Sequence, residues 1–280
     1  MQAKKILLNT VLLGVGLIAT DISAMENNTL KVCAAEDEMP YSNQKGEGFE
    51  NKLAQLIGKQ LNRKVEYVFW TDPRYYIRDF LEKGQCDLTL GVDKGDPRVL
   101  TTKPYYRSGY VFIYRENANF ELENWDSDIL RKVKNIAVVP GTPPEVMMRA
   151  IGRYNDMFNY SQELVGFKSR RNQYVKYEPS KLVSEVSSGH AEIAVLWGPS
   201  AARYVKQSAT PLEMTVIPDN SVRADGQKVE HHFSTSIGVR KNDPTLLAQL
   251  NKVIEDQQDD ITDLLEEEGI PLLDESPNEK

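Results

Sequence analysis

Beyond residue 24 the chain has no apolar run long enough to cross a bilayer, which takes about 20 residues. It holds only three histidines and two cysteines in 280 residues. No Cys-x-x-Cys, His-Glu-x-x-His, P-loop or Gly-x-Ser-x-Gly string occurs. The usual zinc, redox, nucleotide and hydrolase signatures are therefore missing. His190 follows a Ser-Ser-Gly helix stop and is expected to face solvent. His231 and His232 are neighbours in a strand, so their rings point to opposite faces and do not chelate one metal together. One packed and one exposed ring is the expectation. Positive charge is in deficit, 34 Lys and Arg against 41 Asp and Glu, which argues against nucleic acid, whose phosphates need a basic face. There is no internal repeat and no low-complexity linker. The sequence thus implies no metal, no cofactor and no enzymatic set of its own. Glu36, Asp37 and Asp93 are the carboxylates available for acid catalysis in a cleft.

What is present begins with an export signal. Lys4 and Lys5 precede an apolar stretch from Ile6 to Ala19, and Ile22-Ser23-Ala24 offers a small-residue cleavage site. Residues 1–24 are expected to be a signal peptide cleaved near Ala24. Removing Lys4, Lys5 and Asp21 leaves 32 basic and 40 acidic residues, a balance of −8. An acidic surface suits solubility or a basic protein partner.

The remainder alternates strand and helix patterns, which predicts an α/β fold. Leu30 to Ala35 reads as a strand, Gly48 to Gln60 as an amphipathic helix, and Lys64 to Trp70 as a second strand. Asp72-Pro73 predicts a helix start and Gly84 its stop. Cys86 to Val92 is a third strand. This order implies right-handed crossovers, a parallel sheet, and a ligand crevice beyond the carboxyl ends of its strands. Thr142, Pro143 and Glu145 predict a capping box on a helix running to about Met157. Helices are expected over Ser180–Ser188 and Pro199–Gln207, with a short strand over Ile193–Leu196. His231 to Val239 reads as a return strand, Asp243-Pro244 as the start of a long helix, and Asp260 as the cap of a last one. Tyr160 to Pro179 reads as a long irregular segment.

From Leu88 to Tyr114, a buried strand, a glycine loop with one arginine, a Lys-Pro-Tyr-Tyr turn and an aromatic strand follow in order. This resembles the crossover of type II periplasmic solute-binding proteins, whose cleft closes on a small ligand. The resemblance implies two lobes joined by a double hinge, residues 29–114 plus 234–280 and residues 115–233. It implies two sheets, parallel or mixed, flanked by helices, and a periplasmic location. It places Cys33 and Cys86 on neighbouring strands, where they pair as a disulfide closing about 54 residues, worth roughly 4 kcal/mol. Two free buried thiols are the alternative.

In that family Arg98 stands where an arginine grips a ligand carboxylate. The amides before the Thr142 helix supply an anion site opposite it. A hydroxyl residue usually stands five positions before the arginine, and here that residue is Asp93. An acid usually follows the second-lobe strand to hold the ligand amine, and here Trp197 and Gly198 stand there. Two amino-acid contacts are thus absent or reversed. Tyr41 joins Arg98, Asp93, Thr142 and Trp197 as candidate cleft residues, and Arg98 can pair with Asp93 or Asp96 instead of a ligand.

The strings Trp70-Thr-Asp-Pro-Arg-Tyr-Tyr and Val92-Asp-Lys-Gly-Asp-Pro-Arg are more specific. With Val32-Cys-Ala-Ala-Glu-Asp-Glu and Gly46-Glu-Gly-Phe, they resemble a family of methanol oxidation accessory proteins built on the solute-binding fold. That resemblance implies a non-enzymatic protein that aids assembly or activation of a pyrroloquinoline-quinone-dependent methanol dehydrogenase. Candidate partner surfaces are Trp70, Arg74, Tyr75 and Arg78, residue types that anchor interfaces. A second is the acidic set Asp259, Asp260, Asp263 and Glu267, suited to the dehydrogenase's basic small subunit. The alternative function is a transport receptor for a small anion.

Overall fold

The computed structural model describes residues 28–168 and 174–274. The expected signal, residues 1–24, lies outside the described residues. Strand β1 (Thr29–Ala35) leads through the short pair β2 (Asp37–Glu38) and β3 (Ser42–Asn43) to helix α1 (Phe49–Gln60) and strand β4 (Lys64–Trp70). A π-helical turn (Ile77–Leu81) precedes β5 (Leu88–Asp93), β6 (Leu100–Thr101) and the long β7 (Tyr106–Arg115). Then come α2 (Ile129–Lys132), β8 (Ile136–Val138), α3 (Pro143–Ala150), α4 (Tyr154–Leu164) and α5 (Pro179–Ser188). Strand β9 (Ile193–Trp197), α6 (Gly198–Lys206), β10 (Leu212–Val216), β11 (His232–Val239), α7 (Pro244–Asp256) and α8 (Gln258–Glu267) complete the order.

Strand β1 runs parallel to β4 and β5, as the β-α-β-α-β pattern requires. Strand β8 runs parallel to β9. The two expected sheets are joined in one hydrogen-bonded path, β4-β1-β5-β11-β7-β9-β8. The reason is β7, ten residues rich in Tyr, Val, Phe and Ile and long enough to serve both halves. Its Tyr106–Gly109 stretch pairs with β11, and Tyr110–Tyr114 pairs with β9. Strand β10 adds to the second half through Val111–Arg115.

The core follows the same division. One apolar cluster joins Leu30, Phe49, Leu53, Ile57 and Leu88 to Ile237, Leu250 and Leu265 across the chain ends. Each such side chain, fully buried, contributes about 1.5–3 kcal/mol. Two further clusters draw on residues between Val111 and Val229. Cys33 and Cys86 form a disulfide with Cα atoms 5.5 Å apart, inside a buried patch with Ile77 and Leu81.

Several elements depart from expectation. The Asp72 carboxylate takes the Arg74 amide, two residues on, together with the Arg74 guanidinium. That tight local turn delays helical structure to Ile77. The helix expected to reach Met157 breaks into α3 and α4 at Gly152, whose φ is +76°. Helix α8 starts at Gln258, so Asp260 lies in its first turn and is not its cap. Asp243 does cap α7, accepting from the Leu246 amide at 3.0 Å. His232 is half-buried, its Nε2 2.8 Å from the Ile217 carbonyl, where exposure of one ring was expected.

Candidate functional site

The parallel strands β1, β4 and β5 end at one place, and Ala35, Trp70 and Gly91 border a cavity there of about 550 Å³. This is the crevice position the fold dictates. The second half closes it with Pro143, Tyr174 and Trp197, and the crossing strands supply Tyr106, Tyr110, Phe233 and Thr235. The walls are aromatic. Tyr110 and Trp197 lie 5.4 Å apart, Trp197 and Phe233 5.9 Å, and Trp70 stacks on Tyr76 at 4.9 Å. Such ring arrangements give rigid, water-excluding faces. Burial pushes the phenols of Tyr41, Tyr76, Tyr106 and Tyr110 above their ordinary range, so they stay uncharged.

The charged lining is of one sign. Glu38, Glu50 and Asp93 border the cavity, and no lysine, arginine or histidine does so among the described residues. Burial pushes the Glu50 carboxyl up to about 8, and no cation among the described residues offsets it. Glu50 packs against Gly91, where an added Cβ would sit 2.4 Å from Oε1. Gly91 also needs its φ of +71°. Asp93 is raised by burial and by nearby Asp96, with Arg98 opposing.

The structure brings together Asp93, Trp197 and Tyr41 of the expected cleft set. Arg98 and Thr142 are not among the lining residues. The Arg98 guanidinium is taken by Asp96, at 3.0 Å from Nε and 2.6 Å from Nη2, and Asp96 also accepts the Arg98 amide. Thr142 forms no capping box. Its hydroxyl donates to the Val139 carbonyl at 2.6 Å, and Glu145 accepts the Gly141 amide at 2.6 Å. The helix end expected to hold an anion already holds a carboxylate of its own chain. Glu50 was missed, because a glutamate one residue into an amphipathic helix reads as a solvated first-turn acid. The available signal was its place in the Gly46-Glu-Gly-Phe-Glu string, directly after the buried Phe49.

The mouth of the cleft is bridged. Tyr174 donates to Glu38 at 3.1 Å, and Lys176 binds the Asp37 carbonyl and, at 3.4 Å, its carboxylate. Below, Arg203 of α6 forms a two-pronged pair with Glu268, at 2.5 and 2.7 Å. Of the expected partner surface, Trp70 is cleft wall, while Arg74 and Arg78 flank the exposed Tyr75 ring at 5.2 and 4.7 Å. Each arginine is paired, with Asp72 and Asp79 respectively. Asp259, Asp260, Asp263 and Glu267 lie exposed on α8, with no ion pair of their own among the described residues. His231 is fully buried, takes the Trp125 indole N–H at Nε2 (3.0 Å), and is held down to about 4, chiefly by burial.

A two-half α/β fold with its crevice at the strand ends defines a solute-binding protein. The chain matches the model of bacterial extracellular solute-binding proteins, family 3, over residues 30–267, and belongs to that family. It is 42% identical to Protein MoxJ of Methylorubrum extorquens over 256 residues, 91% of this chain and 85% of the relative. The crystal structure of MxaJ from Methlophaga aminisulfidivorans MPT superposes with a TM-score of 0.83 at 49% identity, covering 87% of this chain and all (100%) of that one. The periplasmic binding protein XoxJ from Methylobacterium extorquens AM1 gives 0.63 at 29% identity, covering 88% and 100%.

Proposed function

We propose that this chain is a non-enzymatic periplasmic accessory protein that assists assembly or activation of a quinone-dependent methanol dehydrogenase through protein contact. The observation that carries the reading is the likeness, over nearly the whole chain, to proteins named MoxJ and MxaJ. Residues 1–24 are proposed to direct export and to be cleaved near Ala24. Residues 29–114 with 234–280 and residues 115–233 are proposed to act as the two lobes.

Two features of the site support the reading. The arginine and helix end expected to grip a ligand carboxylate are occupied by Asp96 and Glu145. The scaffold has therefore lost the contacts that fit a small anion or an amino acid carboxylate, and a transport role for such ligands loses its basis. The exposed acids of α8, at positions 259, 260, 263 and 267, recur at helical spacing and present one negative stripe. A stripe of this kind speeds and orients encounter with a basic partner.

Sedimentation velocity of the disulfide-intact chain mixed with methanol dehydrogenase, at low and high salt, tests this. A complex that weakens with salt, and weakens further on Asp259→Lys and Asp263→Lys, is expected. Absence of a complex at low salt would remove the proposal.

A further inference from the structure

The cleft is built for charge, but of the sign opposite to a carboxylate-gripping receptor. Three carboxylates border it and no basic side chain does among the described residues. Among the described residues Glu50 has no cation facing it. The ionisable groups that face it from neighbouring elements are the phenols of Tyr41, Tyr76, Tyr105 and Tyr106, all uncharged. Asp93, further along the same wall, is near enough to Arg98 for that charge to oppose its rise, while Arg98 itself is paired with Asp96. Around these acids stand the faces of Trp197, Tyr110, Phe233 and Tyr106. Aromatic faces attract a positive charge, and the attraction grows where water is excluded.

We propose that the cleft binds a small organic cation, an alkylammonium compound, with the charge held between Glu50, Asp93 and the aromatic wall of Trp197, Tyr110 and Phe233. A free small molecule is the occupant, not a side chain of a docked protein. The bridges from Tyr174 and Lys176 to Glu38 and Asp37 cross the mouth and narrow the way in. The volume of about 550 Å³ lies in the range of small-ligand sites. The inference stands apart from the dehydrogenase reading and survives its failure.

Binding has a proton signature. The Glu50 carboxyl is largely protonated near neutral pH, because burial holds it at about 8. A bound cation favours the carboxylate, so capture releases a proton. Affinity then rises with pH, by about 20-fold between pH 6.5 and 8.5, for a group with that ionisation.

The test is calorimetric titration of the disulfide-intact chain with choline and with 3,3-dimethylbutan-1-ol, its neutral isostere, at pH 6.5, 7.5 and 8.5. Choline is expected to bind at least tenfold more tightly than the alcohol, with proton release visible as a dependence of heat on buffer. Glu50→Gln should weaken choline at least tenfold and abolish the pH dependence. Asp93→Asn should weaken choline while keeping the pH dependence. Equal affinity for the two compounds, no binding of choline at millimolar concentration, or a pH-independent wild-type affinity would each overturn the proposal.

Discussion

The pair between Arg203 and Glu268 ties the second half of the molecule to the first, and its loss should be costly. Glu268, at the end of α8, is 6% exposed. Burial alone would raise its carboxyl, but the Arg203 guanidinium and Lys52 outweigh that and hold it below its ordinary value. Arg203 also reaches the Glu47 carbonyl at 3.1 Å, so one side chain of α6 anchors two points of the opposite half. Arg203→Met keeps the apolar stem and removes the charge. It leaves Glu268 buried with only Lys52, 3.4 Å away and half-exposed, as counter-charge. Breaking one partner of a buried pair costs about 3–5 kcal/mol, mostly because the other charge stays uncompensated. The assay is urea denaturation of the oxidised protein at pH 7.5. With a denaturant slope of about 2–3 kcal/mol per molar, the midpoint should fall by roughly 1–2 M. Adding Glu268→Gln to the same chain removes the stranded charge and should recover more than half of the loss. A midpoint shift below about 0.3 M for Arg203→Met, or no recovery in the double variant, would refute the reasoning.

Two further outcomes follow from other parts of the fold. Replacing Cys33 and Cys86 together by alanine opens a closed loop whose ends are 53 residues apart, and should cost about 4 kcal/mol in the same denaturation assay. His231 sits neutral in the folded chain, with its imidazole held down to about 4 against an ordinary value near 6.5. The unfolded chain therefore takes up the proton first as pH falls, so stability is full above pH 6.5 and is lost towards pH 4, by about 3 kcal/mol. His231→Gln should flatten that part of the pH profile.

Much of the architecture was legible because it rests on period and punctuation. The 3.6-residue spacing of Phe49, Leu53, Leu56 and Ile57 marked α1, and the Asp243-Pro244 cap marked α7. What escaped was set by tertiary partners. Strand β10 alternates apolar and polar residues, Leu-Glu-Met-Thr-Val, but is only five residues long, and its place is set by the edge that β7 offers. The joining of the sheets is invisible in any one strand, because it depends on which residues of β7 face β11 and which face β9. At the site, the aromatic identity of Trp197 and the reversal at Asp93 could be read from the chain. For Arg98 the chain offered a pair with Asp93 or Asp96, and Asp96 takes it; the fate of Thr142 could not be read. Each was decided by a short-range competitor, Asp96 two residues before and Glu145 three residues after, and only geometry shows which bond wins. Glu50 became visible only when the strand ends that surround it were brought together.

The shared strand has a mechanical consequence. At the point where β7 changes partners, Gly109 lies opposite His232, and a Cβ there would meet that imidazole at 2.8 Å. The two crossing strands nest backbone against ring with no slack between them. Loops that swivel freely would let the halves drift apart at little cost. A paired ribbon stores any rotation as torsion spread over several residues, with a restoring force that grows with angle. Its stiffness, and not the reach of a linker, then sets how far the cleft can gape.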